Sequence, residues 1–569
     1  MTEEACVDPH IVLIGAGPRA ITLVDRLGAH AARGSVRIRV TLVDPYPAGA
    51  GRVWNTSQPR VLLNNTSASE TTVFCDATIT SAAPIDGGPS LYEWCGTMGS
   101  ASVDPRVRAE AAGTQPWTKP ARALQGAYYS WALDEVIRRH RDTLQVVTRR
   151  ATVEHMNAGE PTGLTLSDGS ILHSDAVIFS MGFVDDVDDE AVTALAAHAA
   201  AVGGVYRPPG PMELSVLEDV DFHTPVLVRG LGATFFDLLG LLEVDGPGGG
   251  PTGLVAGSGH GLPKRAQPDG PGPEVDPTRV TTAAVARLLD RHAGSGSADA
   301  AAVWRAVHAD LRDEYERYSA PLAASVAGPF DWADVAAPRQ RRGESFTDAL
   351  DRFFAQEAIT IESPQTSPWA AVRRAVLEIR PRILRLIRAG AFSSAGAELL
   401  RAHFLQPAGR LTSGPPAGRQ ALLARWRREG RVTLLGPAAE YSTAPDGFRA
   451  TSPVNGAGVH ARQLLEARQA FGSVTRSGSG LLRQLLRGGL IESAASPDEA
   501  GIKVNPVDHR VAVTESAAPP WWVAGHLARS AQWGVNQGAI PHSADPFLQE
   551  SDTIAASVVA WLIRERPTP

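Results

Sequence analysis

Residues 11–27 read IVLIGAGPRAITLVDRL: a short apolar run, a glycine-rich turn, then apolar residues at helical spacing. That order predicts a buried strand feeding a helix through a tight turn, and VRIRVTLVD at 36–44 supplies the next strand. The result is a βαβ unit opening a doubly wound α/β sheet. Within GAGPRA, Gly15 permits the turn, Gly17 lets backbone amides approach a pyrophosphate, and Ala20 stands where the helix must pack closely. Pro18 and Arg19 open the helix, whose N-terminal dipole faces the phosphate charge. Asp44, at the end of the second strand, is placed to bond ribose hydroxyls. A dinucleotide site is the expectation; a glycine turn in an unrelated α/β protein is the alternative.

At 569 residues the chain exceeds one ordinary core, and 43% hydrophobic with 20% charged residues suits a globular protein that buries substantial cores. A net charge of −7 gives no bulk attraction to nucleic acid. Three cysteines, Cys6, Cys75 and Cys95, share no metal or redox spacing, so neither a disulfide scaffold nor a metal site is expected. No apolar run approaches the roughly 20 residues of a membrane helix, and the expected location is the cytoplasm. HExxH, GxxxxGK[ST] and a Ser/His/Asp set are missing, which leaves the zincin, P-loop and hydrolase readings without support.

A second strand, glycine turn and helix begin at TPVLVRGLGATFFDLLGLLE, residues 224–243. Gly230 and Gly232 keep the first two glycine positions and Thr234 follows, but Phe235 occupies the third. A nicotinamide nucleotide is expected there, with a non-binding repeat of the fold as the alternative. Ser258, His260, Lys264 and Arg265 fall where the next strand should end; donors in place of an acid suit a 2′-phosphate, hence NADPH, with NADH as the alternative. The fold class is therefore α/β: two Rossmann-like dinucleotide-binding domains, the second inserted in the first, with a largely helical insertion. The expected division is 8–215 and 446–569 for the first domain, 220–275 and 406–445 for the second, and 276–405 for the insertion.

Other candidates lie in loops. Gly49, Gly51, Arg52 and Trp54 follow the second strand where the flavin half of FAD would lie, and the Asn64 and Asn65 amides suit either a flavin edge or a helix cap. Gly182, in FSMGF, marks a crossover between domains. Gly525, Gln532 and Trp533 belong to a carboxy-terminal strand end and helix start. The helix with Arg373, Arg374, Arg380, Arg382 and Arg385 is read as a solvated face, a carboxylate clamp being the other reading.

With these residues in place, the motif order resembles class B flavin monooxygenases, although the Baeyer–Villiger fingerprint is missing. GAGPRA, LLNN, PWTKPARALQGAYYSW, SGHGLPKRAQP, SPWAAVRRAVLEIR, SGPPAGR and GVHARQLLEAR resemble a bacterial FAD/NAD(P)-binding family. Its members include aspartate N-monooxygenases that form nitrosuccinate. The resemblance implies an FAD-dependent, NAD(P)H-using enzyme that oxygenates an amino nitrogen through a flavin C4a-hydroperoxide, aspartate-like substrates being favoured. Its partners would be a small molecule and O2, with a homodimer left open. The catalytic group would be the flavin, and Arg419 and Arg462 are the candidate carboxylate clamp. S-oxygenation, a flavin reductase or oxidase, and a non-catalytic flavin-binding sensor are the alternatives. His260 stands where many relatives carry Arg, Met181 replaces a usual Thr, and Gln532-Trp533-Gly534 replaces an acidic segment.

Overall fold

The computed structural model describes residues 8–187, 190–246, 250–469, 473–494, 501–514, 519–528 and 538–565. The opening motif folds as its pattern requires: β1 (His10–Ile14), α1 (Pro18–Arg33) and β2 (Ile38–Val43), with β1 and β2 parallel. Ala20, Val24, Leu27 and Ala31 form the fully buried stripe of α1. After α2 (Arg122–Arg139), β3 (Leu144–Arg149) pairs outside β2. An antiparallel three-stranded sheet over residues 153–174 follows, and β4 (Ala176–Phe179) returns to the other side of β1.

The chain then crosses into a second sheet with β5 (Val205–Arg207), β6 (Val226–Arg229), α3 (Ala233–Asp245) and β7 (Leu254–Gly257). A mostly helical segment interrupts it. Its long members are α4 (Ala300–Ser319), α5 (Phe346–Glu362) and α6 (Pro368–Arg388), followed by α7 (Gln406–Leu411) and α8 (Ala417–Arg428). Val307, Leu311, Val372, Val376 and Ile379 join α4 and α6 in a core separate from both sheets. β8 (Val432–Leu434) and β9 (Gln463–Glu466) complete the second sheet. The chain finally returns to the first through β10 (Trp521–Val523) and α9 (Pro546–Glu565).

Both five-stranded sheets are parallel among the described residues, in the orders β10-β4-β1-β2-β3 and β8-β7-β6-β9-β5. Each is a 3-2-1 arrangement extended by two strands, so the glycine turn after the first strand opens at the carboxyl edge in both. The boundaries differ from those expected. Residues 205–207 and 447–466, assigned from sequence to the first domain, lie in the second. β5 and β9 are strands of its sheet, and the hairpin over 447–461 packs Phe448 and Ala461 on Leu227 and Leu464. Short strands and hairpins carry no local mark of the sheet they join. Among the described residues no helix is long and apolar enough to cross a membrane.

Candidate functional site

Gly15 has φ +100°, and a Cβ there would lie 2.4 Å from the Ser180 carbonyl oxygen at the end of β4. Only glycine fits where these chains meet. Gly17 caps α1 in extended conformation with no side chain covering the helix end, and a Cβ would meet nothing within 4 Å. The turn is tight behind and open in front, a cradle shaped for a phosphate group at a helix N-terminus. Asp44 braces it: Oδ2 accepts the Ala16 amide at 2.8 Å and Oδ1 the Tyr46 amide at 2.8 Å. Burial raises its pKa, opposed by these two amides. Each oxygen keeps a further acceptor site for a ribose hydroxyl.

The glycine-rich loop after β2 folds over this turn. Gly49 donates to the Ala16 carbonyl at 2.7 Å, and Gly51, with φ +61°, approaches the Gly17 Cα. Arg52 reaches across the front to Asp185, with N–O distances of 2.6 and 3.0 Å. Asp185 lies three residues beyond Gly182, itself exposed with φ +67° at the crossover between sheets. Trp54 donates to Asn64 Oδ1 at 3.1 Å and packs edge-on against Tyr129. The Asn64 backbone amide is spent on the Pro120 carbonyl at 3.0 Å, whereas Asn65 is exposed.

Four residues expected on this side need correction or lie beyond the described residues. Arg19, placed by sequence toward the phosphate, turns inward. It pairs with Glu550 of α9 at 2.7 Å, donates to the Phe547 carbonyl and stacks 3.6 Å over the Phe547 ring. Ala20 is fully buried, as close packing requires. Gly525, with φ +74°, sits against Arg19, and its amide donates to the Glu550 carboxylate at 3.1 Å, so it supports the site from behind. Gln532 and Trp533 fall outside the described residues.

The second turn repeats the first. Gly230 has φ +119° and its Cβ would meet the Ala467 carbonyl oxygen at 2.5 Å, while Gly232 caps α3 with open space before it. Thr234 and Phe235 are buried, so the large ring at the third position packs into the core rather than blocking the turn. Beyond β7 lies a cationic group. Ser258 Oγ accepts the Gly261 amide, Lys264 Nζ donates to Ser413 Oγ at 2.7 Å, and His260 Nε2 accepts from Arg410 Nη1 at 2.7 Å. Burial first, then Arg410, lowers the pKa of both Lys264 and His260. Among the described residues no carboxylate pairs with Lys264, His260 or Arg410. Arg410 on α7 has no local signal in the sequence: the helical insertion separates it from Lys264.

Three other arginines do not fit their expected roles. Arg265 is buried and directed into the insertion, bonded to Glu357 and Gln356 of α5 and the Val335 carbonyl. Arg419 is held by Glu243 at 2.9 Å and the Val61 carbonyl, joining α8 to α3 and the first unit. Arg462 donates to the Val202 and Gly203 carbonyls and so closes the end of a helix, residues 190–202. Neither Arg419 nor Arg462 forms a clamp with the other. An alternating Arg-rich pattern shows charge, but not the distant carbonyl or acid that consumes it.

Residues 12–184 match the family model described as FAD-NAD(P)-binding. The chain is 28% identical to an L-aspartate N-monooxygenase (nitrosuccinate-forming) of Streptomyces davaonensis, over 98% of each protein. It is 29% identical to one from Streptomyces cremeus, over 97% of this chain and 94% of that relative. An ornithine hydroxylase structure from Pseudomonas aeruginosa aligns with 98% of this chain and 100% of its own, at 12% identity and TM-score 0.43. The chain is thus similar from end to end to L-aspartate N-monooxygenases, and its first α/β unit matches the FAD-NAD(P)-binding family.

Proposed function

We propose that the chain is an FAD-dependent, NAD(P)H-using monooxygenase that oxygenates the amino nitrogen of an aspartate-like amino acid, with that small molecule and O2 as its partners. The observation that carries this reading is the end-to-end similarity to two L-aspartate N-monooxygenases, which spans both glycine turns and the helical insertion. Gly15, Gly17, Asp44 and the loop through Arg52 would hold FAD. Gly230, Gly232, Lys264, His260 and Arg410 would hold the nicotinamide nucleotide, and the positive charge of Lys264 and Arg410 favours the 2′-phosphate of NADPH.

When bound, the two cofactors supply the redox chemistry that delivers one oxygen atom of O2 to a nitrogen lone pair. The protein's share is positioning: glycine backbones would give close approach, Asp44 would fix the register of the first nucleotide, and the Arg52–Asp185 pair would help hold the loop beside it. The substrate nitrogen must be unprotonated to react, and cationic side chains near it favour that form.

The test is mass spectrometry of products after incubating the flavin-loaded protein with NADPH, O2 and a panel of amino acids. N-hydroxyaspartate or nitrosuccinate, formed with aspartate-dependent NADPH consumption, is the expected outcome. NADPH oxidation yielding only peroxide, whatever amine is offered, overturns it.

A further inference from the structure

Helix α6 has two working faces. Val372, Val376, Ile379 and Ile383 are buried in the core shared with α4. Arg373, Arg380 and Arg388, seven and eight residues apart, share another side. That side faces the first α/β unit. Arg388 Nη1 donates to the Ala544 carbonyl, Arg380 lies in the field of Asp545, and Arg373 lies in the fields of Glu70 and Lys119. Arg374 and Arg382 instead lean on Glu378 of their own helix.

Unlike Arg374 and Arg382, Arg373 has no ion pair among the described residues, and its Nε is buried without a partner. Burial pushes its pKa below the usual guanidinium value. The surrounding groups are already committed. Lys119 donates to the Trp117 and Pro268 carbonyls and lies 3.8 Å from Asp269, while Glu70 closes the capping box of Ser67. The place is a junction of three parts. Residues 116–118 are hydrogen-bonded to Ala68 and Ser69, just beyond Asn64 and Asn65. Lys119 ties them to residue 268 of the second unit, and α6 closes the third side.

We propose that Arg373 binds a carboxylate of the amino-acid substrate, an inference that rests on the N-oxygenation reading above. A guanidinium with an unused fork of donors matches a carboxylate's two oxygens. Its Nε is buried without a partner and no acid lies within ion-pair distance among the described residues, a cost that an incoming anion reduces. The adjoining Lys119 ammonium, its pKa pushed down to about 8 first by burial and then by the Arg373 charge, places a second cation at the junction. The same field disfavours a protonated substrate amine.

The experiment compares the flavin-loaded wild-type protein with R373Q, R373K and R374Q. Succinate binding is measured by calorimetry, and aspartate and NADPH dependence by steady-state kinetics. R373Q is expected to weaken succinate binding and raise the aspartate KM about 100-fold, with the NADPH KM and flavin content unchanged. R373K should recover part of that loss, and R374Q should match wild type. Succinate affinity within twofold of wild type in R373Q, or in R373K should R373Q not fold, overturns the assignment. Wild-type NADPH oxidation without any dependence on aspartate overturns the N-oxygenation reading instead, and the succinate measurement still decides whether Arg373 is a carboxylate site.

Discussion

The two α/β units solve one problem with the same backbone and different supports. In both, the first strand ends in a glycine with φ above +90° pressed against a carbonyl, Ser180 for Gly15 and Ala467 for Gly230, and the next glycine but one leaves the helix end open. The first turn is secured from within its own unit. Arg19 and Arg26 of α1 are buried against Glu550 and Asp552 of α9, and Gly51 of the following loop packs against Gly17. At the second turn, among the described residues, no loop glycine packs against Gly232 as Gly51 does against Gly17. Its helix α3 leans outward, Asp237 on Arg122 of the first unit and Glu243 on Arg419 of α8. On the proposed assignment the first unit would keep a resident flavin, and the second would exchange the nicotinamide nucleotide.

Replacing the strained glycines tests that division with the largest effect. Gly15→Ala should yield protein without flavin, since its Cβ meets backbone that cannot yield. Gly230→Ala carries the same strain but should retain flavin, as judged by absorbance after purification, and lose NADPH-dependent reduction. Equal loss of flavin in both would show that the two turns do not act separately. The acids behind the turns come next. Glu550→Ala leaves Arg19 buried without its carboxylate and should cost about 3–5 kcal/mol by denaturant unfolding. Glu466→Ala, whose partners Arg229 and Arg468 reach solvent, should cost about 1 kcal/mol.

The same buried network gives the first unit a pH signature. Burial raises the Asp545 carboxyl to about 6 in the fold, against about 3.9 in an unfolded chain. Folding therefore takes up a proton between those values. This contribution to stability is whole below about pH 4 and is lost as pH rises through about 6. Asp545→Asn should flatten the dependence of Tm on pH across that window; an unchanged slope would remove Asp545 from the account.

What the sequence makes legible here is local. Gly15, Gly17, Gly230, Gly232 and Asp44 could be placed because the strand, turn and helix that position them are contiguous. The 3-2-1 sheets follow from two such units. Arg19 lies inside the motif, yet its direction is set by Glu550 at the far end of the chain. Arg265 follows Lys264 directly, and the two part because Glu357 of the insertion captures one of them. Arg410 enters the cationic group from a helix that no spacing rule connects to β7. The same limit explains β5 and β9, whose three or four residues fit either sheet by pattern and are assigned only by their neighbours.

The contrast between the nucleotide ends can be sharpened at Arg410. Arg410→Ala removes the donor to His260 and one of the cations beyond β7, and should raise the NADPH KM about 10–100-fold while leaving the NADH KM nearly unchanged. A parallel loss for both nucleotides would mean that Arg410 only supports the fold. Lys264→Ala should act in the same direction, with a smaller change because Lys264 is already bonded to Ser413.

The finest test uses the two open glycines, where fold and binding separate. Gly17 and Gly232 have φ of −77° and −90° with extended ψ, which alanine adopts freely, and nothing lies within 4 Å of the added methyl. Neither Gly17→Ala nor Gly232→Ala should lower Tm of the ligand-free protein. Each methyl nonetheless stands where a phosphate must come against backbone amides, so each should weaken its own cofactor by about tenfold, roughly 1.4 kcal/mol. Because Gly51 packs against Gly17 and, among the described residues, no loop glycine does so at Gly232, Gly17→Ala should show mainly as faster flavin loss on dilution. Gly232→Ala should show as a higher NADPH KM with flavin retained. If the two effects exchange places, the assignment of flavin to the first turn and nicotinamide to the second is reversed.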